Sequence, residues 1–231
     1  MNIKITKKDI ISIILKFGVF IFSLLGVIFT LKTGRHNLLY FTIQSNIFIG
    51  LICLIGIVLI IYNVITGKKV IAKWMHIVKF VATIAITITG FIYCAVLVPV
   101  ATGYNPWEFY HVFCHVTVPA LAIADFFVFN TDIQYKYRYM FLSVIPFMYY
   151  LLLSVTGYHL GWDYGNNLTY PYFFLNWGSP LGAFGIDFST FPYMGCVHWG
   201  NGLTLFVIGL SAFYIKLIHI VQKRRETKKL K

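Results

Sequence analysis

Six times in 231 residues the chain passes through about twenty consecutive, predominantly apolar positions. The runs are approximately Ile10 to Leu31, Tyr40 to Tyr62, His76 to Val98, Phe109 to Phe129, Tyr139 to Gly157 and Trp199 to Val221, the fifth being the shortest. About 20 residues of helix cross the hydrocarbon layer of a bilayer. Only helices and closed barrels satisfy their own backbone there, and runs this long without a ten-residue alternating pattern specify helices. The expected fold is therefore all-α: a six-transmembrane-helix bundle, one transmembrane domain over residues 1–231. The first run exceeds the ~7–15 residues of a signal-peptide core and no small-x-small cleavage site follows it, so it is expected to be retained.

Composition agrees. With 59% hydrophobic and 11% charged residues, the chain has too little charge to cover a water-facing surface. The net charge of +12 is not a nucleic-acid signature, because the cations fall in short clusters between apolar runs. The N-terminus holds Lys4, Lys7 and Lys8, the second loop Lys68, Lys69 and Lys73, and the fourth loop Lys136 and Arg138. The tail carries Lys223, Arg224, Arg225, Lys228, Lys229 and Lys231, whereas the odd-numbered loops hold only Lys32 and Arg35. Cytoplasmic loops carry the excess Lys and Arg, which predicts a multipass cell-membrane protein with both termini in the cytoplasm.

The fifth loop, 158–198, then faces outward. It is rich in aromatics, Gly and Pro and lacks Lys and Arg, so it is expected to fold back as a cap at the membrane interface, where amphipathic rings sit well. The alternative is an aromatic belt that only anchors two helices. The four cysteines, Cys53, Cys94, Cys114 and Cys196, have no metal-ligand spacing and read as small hydrophobes.

Polar side chains inside apolar runs need a reason. The second run opens with YFTIQSNIF, residues 40 to 48, in which Thr42, Ser45 and Asn46 share a helix face and Gln44 lies to the side. The fourth run carries HVFCHVTVPALAIAD, residues 111 to 125. His111 and His115 sit one turn apart at about the depth of Thr42. Pro119 cannot donate to the His115 carbonyl, so a kink with a free acceptor beside that histidine is expected. A hydroxyl becomes a nucleophile beside a base, and histidine is the base suited to neutral pH. Thr42 and His115 fit those roles; a threonine bonded only to backbone is the plainer reading. His111, His115 and His198 as a metal site, or Cys114 as nucleophile with His111, are further alternatives. Asp125, roughly 15 Å further along its helix than His115, is too far away to orient the base, and Lys79 is its expected partner in a structural ion pair.

FTIQSN at the start of the second run, HxxxP with a following Asp in the fourth, and YPYFFLN in the fifth loop resemble the bacterial Pr-six-Pr six-helix membrane proteins. They are more distantly similar to the androgen-induced and androgen-dependent fatty-acid-ester hydrolases of animals. The resemblance implies a multipass hydrolase of fatty-acid esters of hydroxy fatty acids, with Thr42 as nucleophile and His115 as base. No cofactor is expected, nor a metal, since no HExxH glutamate is present and outward-facing carboxylates are few; the expected substrate is a lipid or acyl ester drawn from the bilayer. Gln44, Asn46 and His111 are candidates for holding the oxyanion, with Ser45 and His198 as further polar support, and Tyr170, Pro171 and Asn176 belong to the expected cap. A lipid or small-solute binding or transport protein without chemistry, and an acyltransferase using the same pair, are the alternatives.

Overall fold

The computed structural model describes residues 5–68, 71–102, 105–129 and 133–229. Lys4, Lys69 and Lys231 of the cation clusters lie outside them. Six helices are long and apolar enough to cross a membrane, and the described residues form no strand beyond one isolated bridge between Ile186 and Met194.

Helix α1 spans Lys7–Thr33 and starts on a capping box, in which Asp9 N–H donates to the Thr6 hydroxyl at 3.1 Å and Thr6 N–H to the Asp9 carboxylate at 2.9 Å. Helix α2, Phe41–Thr66, ends at Gly67, whose φ of 69° is the left-handed conformation that glycine adopts without strain. Helix α3 covers Lys73–Val100, widening into a π-turn, Tyr93–Leu97, and finishing in a 3₁₀ turn, Val98–Val100. Helix α4 begins as Phe109–Val112, widens into a second π-turn, Phe113–Thr117, and continues as Val118–Phe129. Helix α5, Tyr137–His159, opens with 3₁₀ geometry, and α6 runs from Cys196 to Lys229. His198 therefore belongs to the first turn of α6 rather than to the preceding loop.

Two large apolar cores hold the bundle, with a small third cluster around Val27, Ile43 and Cys114. One lies between α1, α2, α3 and α4, around Val19, Ile49, Ala82, Ile86 and Val118. The other joins α3 and α4 to α5 and α6 through Phe80, Ile84, Phe126, Phe147, Val207 and Ile215, and takes in Phe174 and Leu175 from the fifth loop. Apolar side chains also cover the outside, with Val58 58%, Leu152 66% and Leu205 70% exposed. A water-soluble monomer rarely presents so continuous an apolar surface. It fits a multipass membrane protein.

Candidate functional site

Thr42 is the second residue of α2, immediately after the N-cap Tyr40 and Phe41. The chain entering the helix is pinned to the fifth loop, because the Tyr40 hydroxyl donates to the Tyr164 carbonyl at 2.8 Å. The Thr42 hydroxyl oxygen lies 3.2 Å from His115 Nε2. The other ring nitrogen, Nδ1, lies 2.8 Å from the His111 carbonyl oxygen. A carbonyl only accepts, so Nδ1 carries the proton of a neutral imidazole and Nε2 presents its lone pair to the threonine hydroxyl, which donates. Hydroxyl, acceptor nitrogen and a backbone carbonyl that fixes the tautomer stand in line.

The backbone of α4 sets this geometry. Pro119 has no N–H, and the helix absorbs the missing bond just before it in the π-turn, where Val118 N–H donates to the Phe113 carbonyl. The expected break is thus a widened turn centred on His115 itself. The His115 carbonyl faces Gly90 of α3 rather than its own ring: a Cβ at Gly90 would stand 2.7 Å from that oxygen and 3.1 Å from Pro119 Cγ. Only glycine lets α3 and α4 approach so closely here. The opposing π-turn of α3 contributes Tyr93, whose ring stacks on His115 with centroids 3.6 Å apart and planes at 15°. The Tyr93 hydroxyl is tied to the Pro106 carbonyl, so the stacked ring is held at both ends.

The other polar residues of α2 divide between the neighbouring helices. The Asn46 amide donates to the Thr42 carbonyl at 2.8 Å and to the Cys114 carbonyl at 3.2 Å, bridging α2 to α4. The Ser45 hydroxyl reaches the Thr42 carbonyl at 3.0 Å and the Thr89 hydroxyl of α3 at 2.8 Å. Both hold the backbone of Thr42 rather than the space in front of its hydroxyl. Gln44 turns back to the Leu38 carbonyl at 3.1 Å. The His111 ring centroid is 5.9 Å from that of His115, while His198 bonds the Phe184 carbonyl at 2.9 Å. Among the described residues no three His, Cys, Asp or Glu side chains gather as metal ligands. Cys114 is buried with its sulfur against Gly26 of α1, and it does not line the cavity described next.

On the far side of Thr42 lies a cavity of about 40 Å³. Its wall is almost wholly apolar, from Phe41, Ile88, Phe147 and Leu203, and its polar groups are Thr42, Thr89, Tyr150 and Tyr172. Tyr172 comes from the fifth loop and sits between the residues that the sequence singled out. Its hydroxyl is 3.5 Å from the Thr42 hydroxyl, and its ring stacks on Phe174 at 5.1 Å and 8°. Burial raises the Tyr172 phenol above its usual range. Pro171 is buried beside it and Tyr170 half-buried, whereas Asn176 folds back to accept from Gly178 N–H at 3.1 Å. Tyr172 and Tyr93 are the site residues that sequence reasoning missed; the YPYFFLN stretch pointed to the right loop but not to the right ring.

A second polar cluster lies towards the opposite end of α4. Asp125 meets Lys79 at 2.8 Å, as its sequence position anticipates, and also Lys16 of α1 at 2.7 Å. Ser12 donates to the same carboxylate at 3.0 Å, and Lys79 contacts Cys53 Sγ at 2.9 Å. Lys16 threads past α2 at Gly56, where a Cβ would meet its Cε at 2.8 Å. A lone lysine in the middle of an apolar run was the signal that this partner existed.

Comparison of the chain with protein-family models, with curated proteins and with solved structures finds no match.

Proposed function

We propose that the protein is a multipass membrane hydrolase of lipid esters, working at the outward end of the bundle with both termini in the cytoplasm. The single observation that carries this reading is the alignment of the Thr42 hydroxyl, His115 and the His111 carbonyl at 3.2 and 2.8 Å, on the wall of an apolar cavity. The asymmetry of the cation clusters supports the orientation, and the resemblance to the Pr-six-Pr proteins supports the chemistry.

In this reading Thr42 Oγ1 attacks the ester carbonyl carbon as its proton passes to His115 Nε2, and the carbonyl electron pair moves onto oxygen. Collapse of the tetrahedral intermediate breaks the bond to the alcohol oxygen, which takes the proton back from His115. Water then attacks the acyl-threonine with His115 again as base, releasing the acid and restoring the hydroxyl. The His111 carbonyl holds the tautomer throughout, and the Tyr93 ring keeps the imidazole plane fixed. The apolar cavity receives the part of the acyl group next to the ester carbonyl, and the fifth loop covers it.

The test is hydrolysis of fatty-acid esters by the detergent-purified protein. Thr42→Ala and His115→Ala are each expected to lower kcat/KM by about 10³-fold or more, and a fluorophosphonate probe to label Thr42 in the parent protein. Full turnover in either variant defeats the assignment. An intact lipid co-purifying with a protein that neither turns over nor labels would favour a binding role.

A further inference from the structure

Attack by Thr42 leaves a negative oxygen that needs a hydrogen-bond donor on the cavity side of the hydroxyl. The donors nearest in sequence are otherwise engaged. Both contacts of the Asn46 amide are to carbonyls, the Gln44 amide serves Leu38, and the Ser45 hydroxyl lies behind the Thr42 backbone. Tyr172 is placed differently. Its hydroxyl stands 3.5 Å from Thr42 Oγ1, on the cavity wall. A phenol hydroxyl has a single proton to give. In the resting site the oxygens beside that proton are neutral, the Thr42 hydroxyl foremost. A developing oxyanion outcompetes them, because charge-assisted hydrogen bonds are about twice as strong as neutral ones. The ring is held for the task by its stacking on Phe174 and by edge contacts with Tyr40 at 5.5 Å and Tyr150 at 6.1 Å.

We propose that the hydroxyl of Tyr172 is the oxyanion donor of the Thr42–His115 site, supplied from the fifth loop so that the donor is present only while that loop is seated on the bundle. The proposal rests on the hydrolase reading. In the step it serves, the bond from Thr42 Oγ1 to the carbonyl carbon forms, the carbonyl π pair becomes the oxyanion lone pair, and the threonine proton moves to His115. Tyr172 donates a hydrogen bond and keeps its proton.

Tyr172→Phe keeps the ring and removes only the donor. The expected result is a kcat about 10²-fold lower with KM unchanged. Affinity for a trifluoromethyl ketone, which forms a tetrahedral adduct with an oxyanion, falls by a similar factor, while affinity for the matching ether, which has no carbonyl, stays the same. A merely structural role would weaken both ligands together and lower the unfolding temperature. Unchanged kcat in Tyr172→Phe, a gain in activity, or equal weakening of ketone and ether overturns the donor while Thr42→Ala remains inactive. A parent protein that neither hydrolyses esters nor reacts with fluorophosphonate overturns the hydrolase reading itself, and the donor falls with it.

Discussion

Helix α4 carries two buried polar clusters that solve the same physical problem in opposite ways. Around Asp125 the solution is saturation. The carboxylate has two ammonium groups and a hydroxyl within 3.0 Å, and Asp125, Lys16 and Lys79 are each at most 1% exposed. Around His115 the groups are neutral, the contacts lengthen from 2.8 to 3.2 and 3.5 Å, and the outermost members face an open cavity. A charge buried in a low-dielectric interior is tolerated only when its partners are all present. A reactive hydroxyl must keep one direction unfilled. The difference teaches that polarity inside an apolar bundle is not one signal: enclosed and charge-matched, it holds helices together, whereas neutral and open on one side, it is available to a ligand.

The contrast can be broken from either end. The largest effect on stability is expected from Asp125→Ala, which strands two lysines without a counter-charge. Removing one partner of a buried ion pair costs about 3–5 kcal/mol, so this variant should unfold at a markedly lower temperature in detergent, or fail to accumulate. Thr42→Ala should leave the unfolding temperature nearly unchanged although, on the proposed function, it abolishes turnover, whereas His115→Ala empties the space beneath the Tyr93 ring and should also lower that temperature. Next comes Gly90→Ala, whose new methyl meets the His115 carbonyl and Pro119. Overpacking of this kind costs about 1–3 kcal/mol, and because it displaces His115, the proposed esterase activity should fall more than thermal stability does. The smallest effect is expected from Lys16→Met. It leaves a one-to-one pair of Asp125 with Lys79 and an apolar side chain in the lysine's channel, so thermal unfolding should shift by less than about 1 kcal/mol in either direction. A large loss there would mean that the three charges act as an inseparable unit.

Much of this was legible beforehand for identifiable reasons. The six helices followed from run length alone, with most ends displaced by only a few residues: Tyr40 to Tyr62 became Phe41–Thr66, whereas Trp199 to Val221 became Cys196–Lys229, whose end lies two turns further on. Thr42 and His115 could be paired because helical rise converts residue number into depth. Asp125 and Lys79 were matched the same way. What escaped lacks a period. Tyr172 lies in a loop whose path is set by packing of Tyr164, Phe174 and Leu175, not by a repeat, so no spacing rule could rank it above Tyr170 or Asn176. Tyr93 looked like one more ring in an apolar run, since stacking on an imidazole requires knowing which turns face each other. The position of Pro119 announced a disturbance of α4, but whether the chain bends or widens depends on α3, where Gly90 leaves room for the displaced carbonyl.

The widened turn of α4 has a consequence in angular terms. An extra residue in one helical turn advances everything beyond it by about 100° around the axis. The segment bearing His115 and the segment bearing Asp125 are thereby rotated against each other, like two gears keyed to one shaft with an offset. Deleting a single residue within Phe113–Thr117 would close the widened turn and misalign the two ends: with Asp125 locked between Lys16 and Lys79, the imidazole would swing away from Thr42.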